Sequence, residues 1–149
     1  MTRDKNSKPR APIPGLNARR AALDLLMAVR QDGRLLSEVA EAEDSPLIDL
    51  DPQDRARAQR LATETLRQSA RIAKALKPYV RKAPPTRIQM LLELATTELC
   101  VDKAAAHGVV NGAVALARSH PKTGHLSGMT NAVLRRVAEE IVPTWGKLP

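Results

Sequence analysis

Gly128-Met129-Thr130-Asn131-Ala132-Val133-Leu134-Arg135-Arg136 lies inside the last amphipathic stretch of the chain, His125 to Ile141. Around it Leu126, Met129, Val133, Leu134, Val137 and Ile141 recur at offsets of 0, 3, 7, 8, 11 and 15, which draws one apolar stripe along an α-helix. The helix therefore has a buried side. Asn131 and Arg135, four apart, share a surface of it. Gly124, ahead of the helix, and Gly128, near its start, leave one face bare of side chains. Free amide N–H groups, a glycine face, the Asn131 amide and the Arg135 and Arg136 guanidinium groups at one helix end match the chemistry of phosphate binding. The same residues also suit a last core helix on which both arginines are solvated charge and Gly128 is a packing notch. The pattern leaves the two readings open.

Outward from this helix, 149 residues suffice for one domain with a real core. The apolar fraction of 43% comes mostly from Ala, Leu and Val, with Phe absent and Trp and Tyr present once each. That composition predicts an all-α bundle, because sheets favour β-branched and aromatic residues, and the apolar periodicity along the chain divides it into about seven helices. The near-absence of aromatics also argues against nucleic-acid modules that work by base stacking. One cysteine excludes an internal disulfide. No apolar run reaches the roughly 18 residues of a membrane span, and no signal-peptide core opens the chain, so a cytoplasmic location is expected.

The net charge of +8 is unevenly spread: +5 over residues 1–20, −7 over 21–54, +9 over 55–87 and +1 over 88–149. Two basic segments make a directional positive field, for which nucleic acid is the natural partner, held through phosphates rather than stacked bases. Met1 to Gly15, with Pro9, Pro12 and Pro14, reads as a flexible arm whose Arg3, Lys5, Lys8 and Arg10 can meet phosphate or remain solvated. Asn17 is a candidate cap for a first helix opened by Arg19 and Arg20. Cations there oppose the helix dipole, so a charged ligand explains them better than stability does.

Gly33 ends that helix, and a short second one follows over Leu35 to Ala40. Asp51-Pro52 is a strong helix start, and the helix it opens runs to about Val80 with a bend near Gln68-Ser69. On it Arg60, Arg67, Arg71 and Lys74 form a cationic stripe, with two possible partners: the acidic segment 38–54, or RNA phosphate. Pro84-Pro85 precedes the densest apolar helix, with Ile88, Leu91, Leu92, Ala95, Leu99 and Cys100. Cys100 is thus expected to be a core residue rather than a nucleophile. His107, His120 and His125 lack metal-ligand spacing, so no metal site is expected.

The last 65 residues resemble the NusB family. The resemblance rests on Glu98-Leu99-Cys100 closing a hydrophobic helix, Ala105-Ala106-His107-Gly108-Val109-Val110-Asn111 opening the next, Ala113-Val114-Ala115-Leu116-Ala117-Arg118 ending it, and the Gly128 to Arg136 run. The form Asn-Ala-Val-Leu-Arg-Arg is similar to the NusB-like N-terminal domain of RsmB (Sun)-type small-subunit (16S) rRNA cytosine-5 methyltransferases. Asp54-Arg55 followed by Thr63-Glu64-Thr65-Leu66-Arg67 resembles the same branch, with Glu64 and Thr65 near the usual glycine and Ala105 at a usual proline.

The resemblance, spanning about Leu16 to Val142, implies a helical RNA-binding domain over 16–142 after a basic arm over 1–15. It implies RNA contacts from Arg3, Lys5, Lys8, Arg10, Arg19, Arg20, Arg67, Asn131, Arg135 and Arg136, and rRNA as the RNA. In that branch the module precedes a catalytic methyltransferase domain in cis that binds S-adenosylmethionine and uses paired cysteines. Neither a Gly-rich cofactor loop after a strand nor an accessible thiol is visible here, so this chain alone is expected to have no catalytic residues and no cofactor. Residues 143–149 read as the start of a linker with an exposed Trp145. The alternative implied by the family is a stand-alone transcription antitermination factor that binds boxA RNA with a ribosomal protein. A third is an intramolecular scaffold that docks on the catalytic domain without touching RNA.

Overall fold

From Met90 to Cys100 every side chain is withdrawn from solvent, and the other helices are arranged around this stretch. The computed structural model describes residues 13–148. Its helices are α1 (Leu16–Arg30), α2 (Leu36–Glu41), α3 (Pro52–Arg67), α4 (Ser69–Leu76), α5 (Thr86–Thr96), α6 (Ala106–Arg118) and α7 (Ser127–Arg136). Helix α5 continues as a π turn, Thr97–Val101, and α7 as a second one, Val137–Ile141. Short 3-10 turns occupy Lys77–Tyr79, Gly124–Leu126 and Val142–Lys147. There is no strand among the described residues. The fold is all-α, as composition predicts, and α5 touches α1, α3, α4, α6 and α7.

Local chemistry explains the boundaries. Asp51 caps α3 by accepting from the Asp54 amide at 2.8 Å, with Pro52 in the first turn, a cap that contributes about 1 kcal/mol. The expected bend at Gln68-Ser69 is a full break between α3 and α4. Gly15, rather than Asn17, precedes α1 and takes φ +75, a left-handed conformation that glycine adopts without strain. Asn17 instead accepts from Arg20 at 3.4 Å.

The core holds two carboxylates. Glu93 accepts from Ser69 Oγ at 2.7 Å and Gln89 Nε2 at 2.9 Å, and Arg30 reaches the same serine. Glu98 accepts from Arg19 Nε at 2.8 Å and from Arg57 at 3.2 Å. These two residues pin both ends of α1 to the central helix, since a buried charge without partners would cost several kcal/mol.

Two sequence expectations need correction here. Trp145 is not exposed: it is buried, its ring lies under the Arg71 guanidinium at 3.9 Å, and Arg71 also donates to the Trp145 and Leu148 carbonyls. The cationic stripe does not pair with segment 38–54 among the described residues. Arg60 forks onto Asp102 with both bonds at 3.1 Å, Arg67 closes on Glu64 at 2.8 Å, and Arg71 takes the tryptophan.

Candidate nucleic-acid interface

Arg19 and Arg20 are neighbours with opposite surroundings. One residue of helix turns a side chain by about 100°, which sends Arg19 inward and Arg20 to solvent. Arg19 is 6% exposed, and it donates to Glu98 and, at 2.9 Å, to the Pro14 carbonyl. The expectation that Arg19 meets a charged ligand is thereby corrected: its charged partner is Glu98, 79 positions away. Arg20 stays exposed and makes no ion pair among the described residues. Arg3, Lys5, Lys8 and Arg10 lie outside the described residues.

The residues of α7 do not converge as the sequence suggests. Gly128 sits at the start with open space around its Cα, whereas Arg135 and Arg136 occupy the last turn. Ten residues of helix separate the two ends by roughly 15 Å, so no single phosphate meets all of them. Arg136 is also engaged, donating to Glu140 at 3.1 Å while lying 4.8 Å over the Tyr79 ring. Tyr79 donates to the same carboxylate at 2.9 Å, and these hydrogen bonds hold Glu140 below the usual carboxylate range. Arg135 turns the other way and donates through Nε to Asn131 at 3.1 Å. Arg67, tied to Glu64, lines neither of the clefts described next.

What the fold does assemble is a cationic band around the Pro84-Pro85 break. A groove of about 410 Å³ runs between the segment Tyr79–Pro85 and the start of α7, lined by Arg81, Lys82 and His125 over a floor of Val80, Leu126 and Met129. No carboxylate lines it. Pro85 also borders a second cleft of about 400 Å³, which holds Arg87, His120 and Lys122 but shares its wall with Asp24 and Asp32. Burial raises the Asp24 carboxyl, against the opposing pull of Arg87 and then Arg20. Burial lowers the Arg87 guanidinium, with Asp24 acting against that and Arg20 adding to it. Arg81, Lys82 and Lys122 make no ion pair among the described residues. The single-residue reading of the sequence missed them, although for Arg81 and Lys82 the net +9 of residues 55–87 was the available signal.

The sequence model of the NusB family matches residues 16–139. The chain belongs to the NusB family. Among solved structures this NusB-family chain is similar to NusB of T. maritima, with a TM-score of 0.71 and 20% identity over 87% of this chain and 94% of that one. At that identity the likeness is one of fold. No curated protein matches the sequence.

The described residues contain no strand leading into a glycine loop. Cys100 is 1% exposed and its thiol is pushed up to about 11 by burial, which keeps it protonated and unreactive. No helix among the described residues is long and apolar enough to cross a membrane.

Proposed function

We propose that this chain is an RNA-holding module, of the kind that precedes the catalytic domain in RsmB (Sun)-type rRNA cytosine-5 methyltransferases, with rRNA as its ligand. The observation that carries the reading is the groove of Arg81, Lys82 and His125, whose charged lining is wholly cationic in a fold that neutralises six other arginines internally. Phosphates entering the groove would replace solvent around cations that no carboxylate competes for. Arg87, Lys122 and Arg20 extend the track, and the basic residues Arg3, Lys5, Lys8 and Arg10 add charge to the end of the chain that feeds α1. S-adenosylmethionine and the methyl-transfer chemistry belong to a catalytic domain in cis, and no step of that reaction runs through this chain. The closing Asn131-Ala132-Val133-Leu134-Arg135-Arg136 form supports the RsmB-type assignment over other family members.

The test is a titration of an rRNA hairpin and a scrambled RNA of equal length at two salt concentrations, with Arg81→Ala plus Lys82→Ala alongside. Affinity should fall steeply with salt, and the double variant should flatten the log–log slope by a little under one for each phosphate that it no longer neutralises. A flat salt response, or an unchanged slope in the variant, refutes the electrostatic reading.

One observation favours the antitermination reading instead. Leu35 and Ile48 are 63% and 56% exposed within the acidic segment around α2. An apolar pair set among carboxylates suits a basic protein partner, such as a ribosomal protein acting together with boxA RNA. Under that reading Leu35→Ser plus Ile48→Ser abolishes capture of the ribosomal protein and leaves the RNA titration unchanged.

A further inference from the structure

The start of α6 and the end of α7 enclose a separate cleft of about 300 Å³, lined by Ala106, His107, Val110 and Asn111 on one side and Arg135, Ala138 and Glu139 on the other. Its charge pattern is unusual for this molecule. Arg135 and Glu139 stand four apart on one helix face, as Arg136 and Glu140 do. Arg136 closes on Glu140 at 3.1 Å, yet Arg135 makes no ion pair with Glu139 and spends only its Nε on Asn131. The two outer nitrogens of the Arg135 guanidinium therefore remain available as a planar fork. The Glu139 carboxylate stands one helical turn away without a cation among the described residues. Between them the apolar surface of Ala106, Val110 and Ala138 forms a floor.

A bare phosphate does not suit such a cleft, because Glu139 repels it. A ligand that offers two acceptors and, on an adjacent edge, donors for a carboxylate does suit it. Guanine has that layout: O6 and N7 match an arginine fork, and N1–H with the N2 amine match a carboxylate. Adenine carries a donor where guanine carries O6, and so would present its amine to the arginine. Cytosine lacks the N1–H and N2 donor pair altogether. His107 and Asn111, linked to each other at 3.2 Å, stand on the opposite wall within reach of a sugar or phosphate attached to the base.

We infer that this cleft receives an unstacked guanine nucleotide, read by Arg135 and Glu139, and that it gives an otherwise electrostatic RNA module its preference for particular loop sequences. The inference rests on the RNA-holding reading above, and its test separates the two. An RNA hairpin with one loop guanine is titrated beside versions carrying inosine or adenine there, against the unaltered chain and Glu139→Ala. Both side chains are exposed, so the variant should fold, which a circular-dichroism melt checks.

The unaltered chain should prefer guanine over adenine by about tenfold, and inosine should fall between. Glu139→Ala should erase the difference between guanine and inosine, which only the carboxylate reads, and shrink but not abolish the guanine-over-adenine preference that the Arg135 fork sets, while leaving the salt slope as it was. A guanine-over-inosine preference that survives Glu139→Ala, or no preference for guanine in the unaltered chain, overturns the inference. If no RNA binds even at low salt, the RNA-holding reading fails, and guanosine monophosphate against adenosine monophosphate decides the cleft alone by NMR. Shifts of the His107, Asn111 and Ala138 resonances with the guanine nucleotide only would sustain the site. Equal shifts or none would overturn it.

Discussion

Replacing Arg19 by Met removes the guanidinium that fills the space between α1, α6 and the end of α5, and keeps most of the side chain's bulk. The damage follows from what is left behind. Glu98, 1% exposed, loses its 2.8 Å partner and keeps only Arg57 at 3.2 Å, while the Pro14 carbonyl loses its donor. Breaking a buried ion pair from one side costs about 3–5 kcal/mol. Arg57 is 41% exposed and continues to hold one carboxylate oxygen, so the lower end of the range, about 3 kcal/mol, is expected. For a chain of this length that amounts to a fall in Tm of about 6–12 °C. Thermal unfolding followed by circular dichroism reads it directly, with Arg20→Met as the internal control. The exposed Arg20 should leave the melt within about 0.5 kcal/mol of the parent. If the two variants melt alike, the buried ion cluster does not stabilise the fold and Arg19 returns as a candidate ligand residue.

Gly112→Ala tests the same cluster from the other side. The added Cβ would sit 2.9 Å from the Arg19 guanidinium and 3.1 Å from its Cδ, so the usual gain of about 1 kcal/mol for Ala over Gly in a helix should turn into a net loss. Gly108→Ala meets nothing within 4 Å and should raise the melting temperature. The Cys100 thiol, pushed up from 9.0 to about 11 by burial, loses its proton in the unfolded chain before it does so in the folded one. Stability should therefore drop between pH 9 and 11 by about 2–3 kcal/mol beyond the fall seen in Cys100→Ala, and thiol reagents should react only after denaturant is added. Arg71→Ala removes the cation over Trp145 and the donor to two carbonyls, at a cost of about 1–2 kcal/mol. Trypsin should then cut after Lys147 faster than in the parent.

Much of the fold was legible because helical periodicity and punctuation agree. Asp51-Pro52 starts α3, Gln68-Ser69 breaks the chain before α4, and the run from Ile88 to Cys100 fixes the central helix. The site was less legible, since charge in a sequence carries no direction. Arg19 and Arg20 look equivalent until the helix turns them apart, and only two carboxylates five apart in the densest apolar helix, Glu93 and Glu98, hint that a cation is needed inside. Arg135 and Arg136 diverge for the same reason. The π turns after α5 and α7 have no local sequence mark, yet the second carries Glu139, Glu140 and the seat of Trp145 onward. Arg81 and Lys82 joined the candidate interface only when the fold set them against His125 and Met129.

The seat of Trp145 has a practical side. The chain has one Trp and one Tyr and no Phe, and the side chains of both lie along the seam where α4 and the turn after it meet the closing segment. Nearly all ultraviolet emission of the protein thus originates from that seam and none from α5 or α6. A nucleic acid binding elsewhere will leave the emission spectrum still, and any ligand or neighbouring domain that disturbs the seam will announce itself optically without a label.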